Sequence, residues 1–134
     1  MSAQSNVAIV RAYVAAVEEL NVEAVGELLD PSIVQTEYPN KLFANGKVRS
    51  GAQMLSDLPR ARSLLRRQSY AISTIFEEGE MVAVEATWKG ILDVPLGRLQ
   101  AGDTMVAHLC MVFTVRNGRI VAQKNYDCYE DFAA

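Results

Sequence analysis

The chain has 134 residues, half of them hydrophobic and 22% charged, which suits one globular domain with a single core rather than a disordered or fibrous chain. Sixteen acidic against 13 basic residues leave a net charge of −3, which argues against broad attraction to nucleic acid or an anionic membrane. No apolar run approaches the roughly 20 residues of a membrane span, MSAQSNVAIVRAY lacks the pattern of a secretory signal, and two Cys with one His suit neither a disulfide framework nor a zinc site.

No repeat, low-complexity tract or linker interrupts the sequence, so residues 1–134 are expected to form one cytoplasmic domain without metal or cofactor. From Asn6 to Leu20, Val7, Val10, Val14 and Val17 recur at helical spacing, and Tyr13 and Leu20 widen the stripe. Asn21 caps a second helix, Val22 to Leu29, which stops at Asp30-Pro31. SIVQTEYP reads as a strand in which Val34, Thr36 and Tyr38 alternate with Ile33, Gln35 and Glu37 until Pro39 closes it, and PNKLFANGK as a loop or hairpin. Ser50 and Gln53 form a capping-box pattern opening a helix with Met54, Leu55 and Leu58, and Pro59 suits the first turn of another through Leu64 and Leu65. Strands follow at Ser69 to Glu77, Met81 to Leu92, Thr104 to Arg116 and Arg119 to Tyr129, the last two joined by the strong hairpin signal Asn117-Gly118. Helices first and an antiparallel sheet after predict an α+β domain with the helices on one face of the sheet.

The last strand contains KNYDC, where Asn125 and Asp127 fall on one face and Tyr126 and Cys128 on the other. With a two-residue turn at Asn117-Gly118, Arg116 faces Arg119, so His108 is expected opposite Asp127 and Cys110 opposite Asn125, unless a bulge shifts the register. The His108–Asp127 pair has two readings. It is a solvent-exposed or interface ion pair, or a general base in which Asp127 orients the imidazole.

AYVAAVEELNVEAV, a strand ending TEYP, then VEATWKG and NGRIVAQKNYD together resemble the nuclear transport factor 2-like superfamily, the cone of ketosteroid isomerases and SnoaL-like polyketide cyclases, nearly end to end. The resemblance implies a curved antiparallel sheet and N-terminal helices closing a deep apolar cavity, commonly in a homodimer. Tyr13 sits where the isomerases carry a hydrogen-bond donor to the substrate oxyanion. Tyr38, with Glu37 beside it, occupies the position of their general base, and a bulge there would turn Glu37 inward. The second isomerase acid falls at Cys110 or Met111, neither of which replaces it well. The resemblance places the face of His108, Cys110, Asn125 and Asp127 on the cavity, with Asp127 as the natural base and Trp88 of the WKG motif as an inward aromatic suited to a ring-containing ligand.

These readings together predict a cofactor-independent isomerase-, cyclase- or hydrolase-like enzyme. His108, Asp127 and Glu37 are its candidate catalytic groups, and Tyr13, Tyr38, Trp88, Cys110 and Asn125 line the site for a small apolar carbonyl or epoxide compound. A non-catalytic carrier of a hydrophobic metabolite is the alternative, and an interaction module with an exposed sheet face is a third class. RARSLLRR reads as a solvated face, and a Cys110 nucleophile is disfavoured because residues two apart on a strand lie about 7 Å from His108.

Overall fold

The structure is a computed structural model that describes residues 5–134. Helix α1, Asn6–Glu18, is capped by Ser5, whose hydroxyl accepts from the Ala8 N–H at 3.1 Å. It buries Ile9, Val10, Tyr13, Val14 and Ala16, close to the stripe read from the sequence. Asn21 caps the short α2, Val22–Leu28, and Ser50 with Gln53 forms the expected capping box of α3, Gly51–Asp57. The turn that Pro59 opens is a 3₁₀ helix, Leu58–Ser63, rather than an α-helix.

Six strands build one sheet: β1 (Leu29–Glu37), β2 (Lys47–Ser50), β3 (Leu65–Glu78), β4 (Met81–Leu92), β5 (Thr104–Arg116) and β6 (Arg119–Tyr129), in the order β2-β1-β6-β5-β4-β3. Neighbours are antiparallel except β1 and β6, which run parallel. Strand β1 begins earlier than expected, through Asp30-Pro31, and of the loop and hairpin readings of the next segment the hairpin holds, with KVRS as the short edge strand β2 antiparallel to β1. The sheet is curved and unclosed, with the helices on its inner face, the α+β class expected. Phe113, Ile120, Val82 and Val84 of the sheet pack against Val10 and Tyr13 of α1, and the Tyr13 ring meets Phe113 edge-on at 5.6 Å between centroids.

The β5–β6 hairpin decides where the polar residues of β6 point. Asn117 and Gly118 both have positive φ, 53° and 76°, the conformation of a tight two-residue turn, and Arg116 pairs Arg119 as expected. After Val115↔Ile120, however, the next pair is Thr114↔Ala122, so Val121 is an extra residue and every later pair moves by one. His108 therefore pairs Cys128, Leu109 pairs Asp127, and Met111 pairs Asn125, in place of the expected pairs.

This bulge has a physical rationale. Strict alternation from the buried Ile120 would carry Ala122, Lys124, Tyr126 and Cys128 onto the inner face. With Val121 extra, the inner set is Ile120, Gln123, Asn125 and Asp127, while the Lys124 ammonium and Tyr126 are exposed. Core and polar residues of β6 thus share one face, which the unbulged register forbade.

Candidate functional site

Parallel pairing of β1 with β6 sets Gln35 beside Gln123 and Glu37 beside Asn125, so two rows of polar side chains lie together on the inner face. They line one wall of a cavity of about 220 Å³, whose remaining walls include Tyr13 and Val17 from α1, Tyr70, Trp88, Leu109, Met111 and Tyr129. A second cavity of about 300 Å³ shares Tyr13, Gln35, Arg49, Tyr70 and Tyr129 with the first and extends toward Val25, Met54 and Leu58 under α2 and α3. Trp88 lies over Gly90, where an added Cβ would stand 2.6 Å from the indole, and its Nε1 donates to Gln68 Oε1 at 2.9 Å. Substituting Gly90 would therefore displace the aromatic wall.

Glu37 is 6% exposed, and a carboxylate that deep needs a partner. Arg49, from β2, supplies it: Nη1 donates to Glu37 Oε2 at 2.9 Å and to Gln35 Oε1 at 3.2 Å, while Nε donates to Asp57 Oδ2 at 3.1 Å. That hydrogen bond holds Asp57 below the usual carboxylate range. Asp127 receives no such partner. Its Oδ1 is buried and, among the described residues, meets no hydrogen-bond donor. Burial, followed by the charge of Glu37 and a hydrogen bond shared with it, pushes the Asp127 carboxyl up to about 7, with Arg49 opposing. That shared hydrogen bond exists only while one of the two carboxyls keeps its proton. The site thus contains two acids with different partners: one tied to an arginine, the other poised to gain or lose a proton near neutrality.

Because the folded-state value of Asp127 exceeds its ordinary 3.8, the folded protein binds this proton more tightly than the unfolded chain does. The resulting stability is full below about 3.8 and is lost as pH rises through about 7. The unfolding free energy from urea titrations should accordingly fall across that window, by on the order of 2 kcal/mol once partial exposure of the carboxyl is discounted. Asp127→Asn should flatten this part of the profile.

The structure divides the residues singled out from the sequence between two faces. Tyr13, Glu37, Trp88, Asn125 and Asp127 line the cavity. His108, Tyr38 and Cys110 do not. His108 is exposed on the outer face, its Nε2 2.9 Å from Glu130 Oε2, because the Val121 bulge separates it from Asp127. Tyr38 stacks on Tyr126 at 4.7 Å between centroids, as alternation along β1 requires once Glu37 faces inward. Cys110 pairs Tyr126, and burial, with Glu85 and Cys128 adding to it, pushes its thiol up, away from thiolate chemistry.

Tyr13 is spoken for, since its hydroxyl donates to Gln123 Oε1 at 2.8 Å. Burial keeps the phenols of Tyr13, Tyr70 and Tyr129 well above their ordinary value, so they stay neutral. The sequence reading passed over Gln35, Arg49, Tyr70, Gln123 and Tyr129. Gln123 was findable, since it continues the alternation of Asn125 and Asp127, and Gln35 stands two residues before Glu37. Among the described residues no group of three or more His, Cys, Asp and Glu is arranged to hold a metal ion, and no helix is long and apolar enough to cross a membrane.

An open, curved sheet with N-terminal helices on its inner face is the nuclear transport factor 2-like fold. Within it, the chain belongs to the SnoaL-like domain family, whose model matches residues 10–123, ending just before Asn125 and Asp127. Among solved structures, IdmH of Streptomyces antibioticus, described as a "putative polyketide cyclase", superposes with a TM-score of 0.79 at 17% identity over 92% of each chain. An LEH-like epoxide hydrolase of M. tuberculosis gives 0.69 at 24% identity, over 93% of this chain and 82% of its own. A protein of ketosteroid isomerase-like fold from Catenulispora acidiphila gives 0.71 at 18% identity, over 88% and 83%. At these identities the likeness is one of fold. No curated protein sequence matches the chain.

Proposed function

We propose that the protein is a cofactor-independent acid–base enzyme that moves a proton at a carbon next to a carbonyl group in a small, ring-containing molecule. One observation carries this reading: Asp127, a carboxyl that titrates near neutrality, keeps a buried Oδ1 without a protein donor in a cavity. Its carboxylate takes the proton, the C–H electron pair moves toward the carbonyl to give an enolate, and the bound proton returns to another atom of the substrate. Return to a different carbon is an isomerisation. Attack of the enolate carbon on a second carbonyl of the same molecule closes a ring, and the proton then goes to the new alkoxide. Glu37 is not the base in this scheme, because its carboxylate is held by Arg49; its charge keeps the Asp127 basicity high. Trp88, Leu109 and Met111 offer apolar surface to the rest of the substrate. The cyclase description of one fold relative is compatible with such chemistry.

The test is exchange. A panel of ring ketones and β-diketones incubated with the protein in deuterium oxide is expected to gain deuterium next to the carbonyl faster than in buffer, followed by proton NMR. A ketone that binds and is recovered with no excess deuterium would instead support a carrier.

A further inference from the structure

The amide side chains behind Asp127 form a directed chain. Gln35 Nε2 donates to Gln123 Oε1 at 3.1 Å, and Gln123 Nε2 donates to Asn125 Oδ1 at 2.8 Å. An amide can ordinarily be turned over, exchanging its oxygen for its nitrogen at little cost in shape. Here one end is fixed by chemistry. Arg49 has only donors, so the atom of Gln35 facing it at 3.2 Å must be the oxygen. Gln35 then presents N–H to Gln123, which must answer with oxygen, and Gln123 presents its own N–H to Asn125, which must also answer with oxygen. Tyr13 donating to the same Gln123 oxygen agrees with this sense. The remaining group is the Asn125 Nδ2, which has no acceptor among the described residues and belongs to a side chain lining the cavity.

We infer that Arg49, acting through Gln35 and Gln123, fixes Asn125 as a hydrogen-bond donor to the substrate and so selects ligands with an acceptor oxygen, ring carbonyl compounds, over otherwise similar donors. This deepens the acid–base reading of the same cavity and rests on it for its catalytic meaning. In that reaction Asn125 Nδ2 would face the carbonyl oxygen as charge builds on it, while Asp127, two residues along the strand face, reaches the neighbouring C–H. Asn125 touches the substrate; Arg49, Gln35 and Gln123 are positioning residues.

The polarity can be inverted. In Gln35→Glu, the new carboxylate still accepts from Arg49 but has no N–H, so Gln123 turns its nitrogen toward it and its oxygen toward Asn125, which then shows Oδ1 to the cavity. Acetophenone, which only accepts, and aniline, which donates, are both uncharged, so the extra negative charge of the variant favours neither. Binding of each is followed by NMR titration above the Asp127 midpoint, where Asp127 is no donor and its acceptor oxygens are common to both variants, so the change in the acetophenone-to-aniline affinity ratio reads the relay. That ratio is expected to be roughly tenfold higher in wild type than in Gln35→Glu, with the Asn125 side-chain NH₂ signals of wild type shifting as acetophenone binds.

Unmoved Asn125 signals in wild type, binding of neither compound, or an unchanged affinity ratio in a folded Gln35→Glu would each overturn the inference. Should that variant fail to fold, the wild-type titration decides alone. The two readings fail differently. A wrong relay leaves deuterium exchange intact while the change in affinity ratio is lost, whereas a wrong role for Asp127 leaves that change and removes the exchange.

Discussion

Asp127→Asn is expected to slow deuterium exchange into a responsive ketone by about 10²- to 10⁴-fold, the span of a positioned general base, with little change in ligand affinity. The substitution keeps the shape of the side chain and removes only the basic oxygen, and the new amide can donate to Glu37. No buried charge is left unpaired, so the fold has no reason to fail. It also removes the repulsion that Asp127, once ionised, suffers beside Glu37, so the variant should be more stable than wild type above the Asp127 midpoint of about 7. Activity and stability therefore move in opposite directions, which a merely unfolded variant cannot imitate. In wild type, exchange should rise with pH through about 7 as the carboxylate forms, and that limb should vanish in the variant. Exchange that survives the substitution at the wild-type rate would remove Asp127 from the mechanism.

The sequence carried the fold further than the site, for identifiable reasons. Helix stripes, the Ser50 capping box and the Asn117-Gly118 turn are local signals, each complete within a few residues, and each is present in the structure. That Asn125 and Asp127 share a face was legible because alternation along one strand is also local, whereas their facing the cavity was implied only by the family resemblance. Their partner across the hairpin was not, since one extra residue at Val121 moves every later pair while leaving the turn unchanged. Only the placement of Ile120 hinted at it: a strand with a core residue and a cavity residue of opposite parity must slip somewhere between them. Arg49 was hidden for a different reason. It stands on a four-residue edge strand too short to show periodicity, and what makes it central is its neighbours Glu37, Gln35 and Asp57, which only the pairing of β2 with β1 and the packing of α3 bring together.

Arg49 is also where the fold should be most vulnerable to a single polar change. Arg49→Leu leaves the Glu37 carboxylate, 6% exposed, without its cation, and takes donors from Gln35 and Asp57 at once. Removing one partner of a buried ion pair costs about 3–5 kcal/mol, far more than the pair is worth over an apolar replacement, because the remaining charge must stay dehydrated or tear open its surroundings. The unfolding free energy of Arg49→Leu, from urea titration, should fall by an amount in that range. Adding Glu37→Gln to the same chain should recover most of the loss, since the double variant contains neither charge and an amide of nearly the same shape can still accept from Asn40, whose Nδ2 lies 3.4 Å from Glu37 Oε1. The recovery is the informative quantity. If Arg49 mattered only as bulk between β2 and α3, Glu37→Gln would add its own small cost to that of Arg49→Leu, and the double variant would be the least stable of the set. A double variant more stable than Arg49→Leu would instead identify the unpaired Glu37 charge as the source of the damage, and with it the reason a site that leaves Asp127 without a partner must give Glu37 a strong one.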